Sequence, residues 1–323
     1  MKLYYFIKLT RPLNLMIIAL TMVLLRYLII KPFLLKSTIE LVISTFDFGL
    51  LIVSTLMIAG AGNIINDYFD IRPDRVNRHH RIIVGKYIER REAMFSHVIL
   101  STLGFFVAGY VAHKYHIDWI LIFQVMAITL LWFYSASFKK SFVFGNLIVA
   151  FLTANIPLMV IGYDLPVLFN QMGYHFPFFN MDISPIIKVT YFTIGYSVFA
   201  FLLNLIREII KDMADMRGDL EIDARTLPIV LGLSTTRRMV NSLTLFTIIA
   251  LIYVQQVYLP DLYTSVYLLF AVILPLIINI ISLNKARKSR HFLKIARQTK
   301  WAMAGGLGYL VVFYFFVINN YSF

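Results

Sequence analysis

The sequence predicts an all-α fold, a polytopic membrane protein built as a bundle of nine transmembrane helices with an active-site cap on the cytoplasmic side. Hydrophobic residues make up 59% of the 323 residues and charged residues only 15%, with a mean hydropathy of +0.76. A soluble domain of this size could not bury so much apolar surface, so lipid is the expected solvent. The apolar residues are grouped into bilayer-length segments, and the basic residues are concentrated on alternate loops.

Nine apolar segments are close to the roughly 20 residues that cross a bilayer. They are residues 12–30, 46–65, 93–112, 118–137, 145–162, 187–206, 239–258, 262–283 and 302–319. The first follows Lys2, Lys8 and Arg11, as the apolar part of a signal peptide would. It continues to Ile30 without a small-residue cleavage pattern, so we expect an uncleaved first helix.

The basic residues set the expected orientation. With a cytoplasmic N-terminus, 25 of the 30 Lys and Arg fall in cytoplasmic segments, and the outer side keeps Arg26, Lys31, Lys36, Lys114 and Lys188. This asymmetry follows the positive-inside rule for nine spans and places the C-terminus on the opposite side of the plasma or inner membrane. It also accounts for the net charge of +13 without a nucleic-acid partner.

No linker or soluble domain interrupts the pattern, so residues 1–323 are predicted to form a single membrane domain with no evident obligate protein partner. The chain has no Cys, which excludes disulfides, thiolate nucleophiles and cysteine metal sites. Residues 164–185 are expected to form a polar and aromatic outer loop. Arg26, near the outer end of the first helix, is expected to extend its guanidinium toward the interface.

Two groups of three aspartates have the same spacing, i, i+3, i+7. The first stripe is Asp67, Asp70 and Asp74, and the second stripe is Asp212, Asp215 and Asp219. Another side-chain oxygen precedes each stripe by four residues, from Asn63 and Glu208 respectively. At about 100° per residue, each set of four falls within an arc of about 60° on a helix. We expect Pro73 to bend the first stripe and Gly218 to end the second helix.

Both stripes fall at the cytoplasmic ends of predicted helices, where a cation would relieve the repulsion between like charges. Mg²⁺ prefers oxygen ligands and commonly combines one or two carboxylates with substrate phosphates. We therefore predict that the six aspartates hold a magnesium-bridged diphosphate. Nearby basic residues are candidates to bind its oxygens, namely Arg78, Arg81, Arg207 and Lys211. Two other interpretations stay open: solvated helix ends, and an ion or proton transporter, whose acids usually lie near the midplane.

At these residues the sequence resembles the UbiA superfamily of intramembrane prenyltransferases. The motif N-D-x-x-D-x-x-x-D is matched by Asn66 to Asp74, and D-x-x-x-D by Asp215 and Asp219. The family's next motif, N-R-P-x-R-P, is matched at Asn77, Arg78 and Arg81, whereas His79 and Ile82 replace its prolines. Weaker matches are Arg11-Pro12 with Asn14, Tyr134-Ser135 with Lys139 and Gly145-Asn146, and Thr226-Leu-Pro228.

The resemblance implies a magnesium-dependent enzyme, with the diphosphate of a polyprenyl donor between the stripes and its tail in an apolar channel open to membrane lipid. Metal and basic residues would stabilise the departing diphosphate, and the prenyl group would pass to a lipophilic acceptor. The residues assigned to substrate binding are Asn63, Asn66, Arg78, Arg81, Tyr134, Lys139, Arg207 and Lys211. The rings of Tyr134 and Tyr68 are candidates to stabilise a carbocation-like group, although interfacial aromatic residues need no such role.

The segment before the second stripe bears on the acceptor. Many quinone-pathway members carry Y-x-x-x-K there, whereas this chain has Arg207 and Lys211 at that spacing. This resembles the digeranylgeranylglyceryl phosphate synthase branch, whose members transfer a geranylgeranyl group to a hydroxyl of a prenylated glycerol phosphate. An additional arginine suits an acceptor with its own phosphate. The alternative is an aromatic acceptor, as in quinone, tocopherol or chlorophyll-type pathways.

Overall fold

Helices account for the regular structure of this chain. The computed structural model describes residues 2–35, 40–77, 82–171 and 185–318. Helices α1 to α13 are Lys2–Leu9, Pro12–Leu24, Lys31–Leu35, Thr45–Phe69, Ile71–Asn77, Arg90–Tyr115, Trp119–Ala136, Phe144–Gln171, Pro185–Leu220, Leu227–Tyr258, Leu262–Leu268, Leu274–Lys285 and Ser289–Val312. Short π-helical turns cover Leu25–Ile30, Leu269–Ile273 and Phe313–Ile318, and a 3-10 turn covers Phe138–Lys140. The expectation of an all-α fold is confirmed for the described residues.

Side chains at the helix starts explain several of these boundaries. The Ser44 hydroxyl accepts a hydrogen bond from the backbone N–H of Asp47 at 3.1 Å and so caps α4. The Asp261 carboxylate accepts one from the N–H of Thr264 at 2.7 Å and caps α11. Pro12 opens α2, where its missing N–H would have no helical partner. Local chemistry thus fixes where the membrane-length helices begin.

Eight helical stretches in the described part of the chain are long and apolar enough to cross a membrane. They are Pro12–Leu35, Thr45–Phe69, Arg90–Tyr115, Trp119–Ala136, Phe144–Leu168, Ile186–Leu220, Leu227–Tyr258 and Leu262–Lys285. They coincide with the first eight predicted segments. Large apolar side chains face outward from them, with Phe106, Ile122 and Phe270 between 63% and 69% exposed. Such surfaces are stable in lipid and would be unfavourable in water.

The ninth predicted segment, 302–319, falls on α13 and the π-helical turn that follows it. The first half of α13 is strongly basic, with Arg290, Lys294, Arg297 and Lys300. This helix is therefore not among the eight apolar stretches found in the described residues. The prediction of nine spans stays a prediction at this last segment.

The two helices that carry the aspartates lie in different walls of the bundle. Helix α4 packs against α6 and α7, whereas α9 packs against α8, α10 and α13. The short helix α5, which follows α4 directly, lies on α9. The end of one wall is therefore tied to the end of the other, and a cavity is left between the walls.

Two predictions at the opposite end of the bundle were wrong. Arg26 does not extend toward the interface, because its side chain is only 1% exposed and forms an ion pair with Asp164. Asp164 in turn is not part of an outer loop, since it lies within α8. The Arg26 guanidinium also donates to the Ile43 carbonyl at 2.6 Å and lies 4.2 Å from the centre of the Phe48 ring. The remainder of the predicted outer loop, 172–184, lies outside the described residues.

Candidate active site

One large cavity receives nearly all of the predicted site residues. Its volume is about 1650 Å³, above the usual range of about 300–1,000 Å³ for small-molecule sites. The predicted residues on its wall are Asp67, Asp70, Asp74, Asp212, Asp215, Asp219, Asn63, Asn66, Tyr134, Lys139, Arg207 and Lys211. The two remaining predicted residues, Arg78 and Arg81, lie outside the described residues. Predicted residues up to 156 positions apart in the sequence, Asn63 and Asp219, thus share one chamber.

The first stripe is divided by a break in the helix. Helix α4 ends at Phe69, and the Asp70 backbone is non-helical, with φ −80° and ψ 1°. The expectation that Pro73 breaks this stripe was wrong, because the break precedes it and Pro73 lies in the first turn of α5. First-turn N–H groups have no partner within their helix, so proline is tolerated there. The Asn66 side chain donates to the Asp70 carboxylate at 2.8 Å across the break.

The second stripe lies on an unbroken helix. Gly218 was expected to end α9, but the helix continues to Leu220. The glycine is required for a different reason: a Cβ added there would lie 2.3 Å from the Asn77 amide nitrogen and 2.7 Å from the Pro73 carbonyl oxygen. Asp212, six residues earlier, accepts a hydrogen bond from the Asn146 side chain of α8 at 2.8 Å.

Asn77 joins the two stripes. Its side-chain amide donates to the Asp215 carbonyl at 2.9 Å, and its side-chain oxygen accepts from the Gly218 N–H at 3.0 Å. Both bonds connect α5 to the last two turns of α9. The sequence identified Asn77 only as part of a motif, and gave no indication that it bridges the halves of the site.

Two aspartates of the first stripe each form an ion pair with a cation. Arg11 forms an ion pair with Asp67, and Lys139 forms one with Asp70. Burial lowers the pKa of the Lys139 ammonium, but the charge and hydrogen bond of Asp70 outweigh it, so the pKa is raised above its ordinary value. Burial and Asp67 act in the same opposing way on Arg11, and again the pKa is raised. Both side chains therefore stay protonated at neutral pH.

A third set of ion pairs lies on α9, just before the second stripe. Arg207 and Lys211 both form ion pairs with Glu208, at 2.6 Å for the lysine. Glu208 is 6% exposed, and a buried carboxylate is stable only when paired. The oxygen four residues before the second stripe thus binds the two basic residues of its own helix, which the spacing argument did not anticipate.

The carboxylates of the two stripes are suited to bind Mg²⁺ only together with oxygen atoms of a bound ligand. In the described residues, no three acidic or histidine side chains are close enough to hold one ion by themselves. The carboxylates are divided between two facing walls instead. They offer oxygen donors alone, which is the chemistry that Mg²⁺ prefers, and Mg²⁺ normally completes its shell with water and substrate phosphates. The residues therefore fit ions that bridge the walls through a bound diphosphate.

The two aromatic candidates have different surroundings. Tyr134 lies on the cavity wall near Lys139. Tyr68 instead packs with the apolar cluster around Leu9 and Ile64, and the Arg90 guanidinium covers its ring at 4.7 Å. Of the two rings, only Tyr134 is placed to face a substrate.

The rest of the cavity is mainly apolar and long. From the aspartates it continues between the helices past Ile58, Ile156 and Leu203 to Lys188 and Tyr258 near the opposite end. A polar, charged end joined to an apolar chamber matches the shape of a molecule with an anionic head and a hydrocarbon tail.

Several side chains at the polar end were not among the predicted site residues, namely Arg11, Asn14, Asn77, Asn146, Glu208 and Lys300. Arg11, Asn14 and Asn146 belong to the weak motif matches, so a signal existed for them. Lys300 had none, because its segment was read as a loop charge that sets orientation.

Comparisons with known proteins agree with this geometry. Residues 37–304 match the model of the UbiA prenyltransferase family. A digeranylgeranylglyceryl phosphate synthase of Pyrococcus abyssi is 30% identical over 250 residues, which cover 77% of this chain and 80% of the relative.

Solved structures share the fold. One, described by a study of digeranylgeranylglyceryl phosphate synthase in membranes, has a TM-score of 0.58 at 23% identity and covers 96% of this chain and 98% of its own. A UbiA homologue from Archaeoglobus fulgidus bound to GPP and Mg²⁺ has a TM-score of 0.56 at 16% identity, with coverage of 95% and 99%. At these identities the likeness concerns the fold alone.

Proposed function

Because the chain belongs to the UbiA prenyltransferase family, we propose that it transfers a geranylgeranyl group from geranylgeranyl diphosphate to a hydroxyl of geranylgeranylglyceryl phosphate. The observation that carries the proposal is the cavity itself. Two facing aspartate stripes with paired cations form one end, and an apolar chamber forms the rest. Family membership makes the chain a prenyltransferase, and this removes the transporter alternative.

The diphosphate of the donor would bind between the stripes. Asp67, Asp70, Asp74, Asp212, Asp215 and Asp219 would hold Mg²⁺ there, and the solved homologue with GPP and Mg²⁺ supports this cofactor. When bound, Mg²⁺ supplies Lewis-acid stabilisation of the departing diphosphate. Arg11 and Lys139 already lie against Asp67 and Asp70, and they would add charge-assisted hydrogen bonds to the phosphate oxygens. Arg78 and Arg81 are proposed for the same task.

Transfer exchanges one C–O bond for another. The allylic C–O bond of the donor breaks, and its electron pair leaves with the diphosphate. The acceptor oxygen forms the new bond to that carbon, and its proton passes to a carboxylate on the cavity wall. The ring of Tyr134 faces the cavity and would stabilise the positive charge that develops on the allyl group. The apolar walls keep water away from this charge and so protect it from hydrolysis.

The cavity volume supports two lipid substrates at once. About 1650 Å³ exceeds what one drug-sized ligand occupies, and a transfer between two lipids needs room for both tails. The relatives' name also indicates a glycerol phosphate lipid as acceptor. An aromatic acceptor, the alternative, would leave Arg207 and Lys211 without a phosphate to bind.

We further propose nine spans, with the N-terminus cytoplasmic, the C-terminus on the other side, and residues 1–323 forming one domain. The basic first half of α13 would then stay at the cytoplasmic headgroups, and only its apolar part would cross. Helix α5 and the loop that follows would cap the site.

Incubation of the purified protein with labelled geranylgeranyl diphosphate, Mg²⁺ and a panel of acceptors tests the function. We expect an ether product with geranylgeranylglyceryl phosphate, and none after the magnesium is chelated. Product formed only from aromatic acceptors would contradict the lipid-phosphate proposal and favour the alternative.

A further inference from the structure

Lys300 is a cation on the cavity wall that forms no ion pair within the described residues. It lies on α13 and lines the same chamber as the stripes. Within the described ranges, its ammonium has a single recorded hydrogen-bond contact, to the Asn14 side-chain oxygen at 3.5 Å. That distance is beyond the usual range for an N–H···O bond, so the contact is weak. The ammonium therefore keeps most of its capacity to bind an anion.

The neighbours of Lys300 increase the local excess of positive charge. Arg207 and Lys211 are close enough to repel its ammonium, and both already share the single carboxylate of Glu208. Among these four side chains, three cations therefore face one carboxylate. By contrast, Arg11 and Lys139 each have an aspartate of their own.

Arg207 also has an unused donor. Its ion pair with Glu208 uses a terminal guanidinium nitrogen, whereas its Nε is buried and has no hydrogen-bond partner among the described residues. A buried donor without a partner is costly, about 1–3 kcal/mol. Its presence on the wall of a ligand cavity is explained if a ligand oxygen accepts from it.

The position of this group relative to the stripes indicates which anion it binds. Arg207 precedes Asp215 by eight residues on one continuous helix, which corresponds to a separation of about 12 Å along the axis. Arg207 directly follows the apolar run 187–206, so the proposed topology places it at the level of the cytoplasmic lipid headgroups. The stripes lie further out. A lipid that is anchored by its tail would present its own phosphate at the level of Arg207 and Lys300.

We propose that Lys300 and Arg207 form a second anion subsite, which binds the phosphate of the acceptor lipid and is separate from the donor diphosphate between the stripes. A phosphate monoester carries about −1.5 to −2 charge at pH 7, which suits a group in which cations outnumber carboxylates. This inference rests on the proposed function, because it assigns a place to the phosphate of the acceptor named there.

Kinetics of the purified full-length protein test the subsite. Lys300→Met removes the charge and keeps the length of the side chain, Lys300→Arg keeps the charge, and Lys294→Met is the matched control on an exposed face of the same helix. We expect Lys300→Met to raise the KM for geranylgeranylglyceryl phosphate about tenfold or more, as for loss of one charge-assisted hydrogen bond. Its KM for geranylgeranyl diphosphate should stay unchanged, and the other two variants should resemble the wild type.

An acceptor without the phosphate, geranylgeranylglycerol, separates binding from packing. Wild type and Lys300→Met should use it equally poorly, since the subsite has nothing to bind. Inhibition of the wild-type protein by inorganic phosphate is a second test, and it does not depend on whether a variant folds. The phosphate should inhibit competitively against the acceptor and not against the donor.

Three results would overturn the subsite. They are an unchanged acceptor KM in folded Lys300→Met, a rise in the donor KM instead, and phosphate inhibition that is competitive only with the donor. Failure of the proposed function is a different result, because in that case the wild type itself forms no ether product from the phosphate acceptor.

Discussion

Charged residues lie at both ends of the bundle, but they are packed in different ways. At the end opposite the aspartates, Arg26 and Asp164 are each 1% exposed and form two bonds of 3.1 Å. The backbone of Ile43 satisfies both, since its carbonyl accepts from Arg26 and its N–H donates to Asp164 at 3.1 Å. At the aspartate end, Arg11 and Asp67 are 41% and 21% exposed and face the cavity. Saturated pairs hold helices together, and pairs with spare donors and acceptors can bind a ligand.

The largest effect should come from the cavity end. Asp67→Asn removes a charge that we assign to metal and diphosphate binding, and the rate of prenyl transfer should fall about a hundred- to a thousandfold. Thermal unfolding should change little, because Asp67 is partly exposed and its pair with Arg11 contributes little to stability. The product of labelled donor measures the rate. Asp118→Asn, at an exposed helix start, is the control. Equal transfer rates in the two variants would show that Asp67 is not part of the active site.

A substitution at the opposite end of the bundle should lower stability and leave the transfer rate nearly unchanged. Arg26→Met leaves the buried Asp164 carboxylate without its partner and should destabilise the protein by about 3–5 kcal/mol. The transfer rate per folded molecule should stay near that of the wild type. The double variant Arg26→Met with Asp164→Leu should recover much of the stability, because two apolar side chains replace the pair. Unfolding in detergent measures the stability of the single and the double variant. If Arg26→Met lowered the transfer rate without lowering stability, the assignment of a purely structural role to this pair would be wrong.

The junction between the two halves of the site should show an intermediate effect. Gly218→Ala places a methyl group 2.3 Å from the Asn77 amide nitrogen, so α5 has to move away from α9. We expect a loss of stability of about 1–3 kcal/mol and a rate about tenfold lower, because the stripes lose their relative position. Gly49→Ala is the control, since nothing lies within 4 Å of its added Cβ. A wild-type rate in Gly218→Ala would show that the junction does not position the site.

The smallest effect concerns pH. Asp70 raises the pKa of Lys139 above 10.5, its value in the unfolded chain. A raised pKa contributes stability that is complete below pH 10.5 and is lost only as the pH rises through the higher folded value. The stability difference between wild type and Lys139→Met should thus be constant from about pH 7 to about pH 10. Unfolding at several pH values measures it, and a difference that shrinks near neutral pH would contradict the raised pKa.

Sequence alone was sufficient for the features that repeat or have a period. Apolar segments of bilayer length predicted the eight membrane-length helices. The repeated spacing i, i+3, i+7 identified the six aspartates, and all six line one cavity. The sequence alone was insufficient where a residue contacts a partner that is distant in the chain. Arg26 was read as interfacial because its partner, Asp164, lies 138 residues away. Gly218 was read as a helix end because the reason for a glycine there is Asn77, on another helix.

The bonds made by Asn77 also constrain how the protein is assembled. Asn77 and its partners Asp215 and Gly218 are separated by 138 and 141 residues, so at synthesis rates of about 5–20 residues per second the first stripe waits about seven to thirty seconds for the second. Two of its three carboxylates, Asp67 and Asp70, have partners in the part of the chain that is made first. Arg11 is made before Asp67, and Lys139 follows Asp70 by 69 residues. We therefore expect Arg11 and Lys139 to offset two of the three negative charges of the first stripe before the second stripe is made.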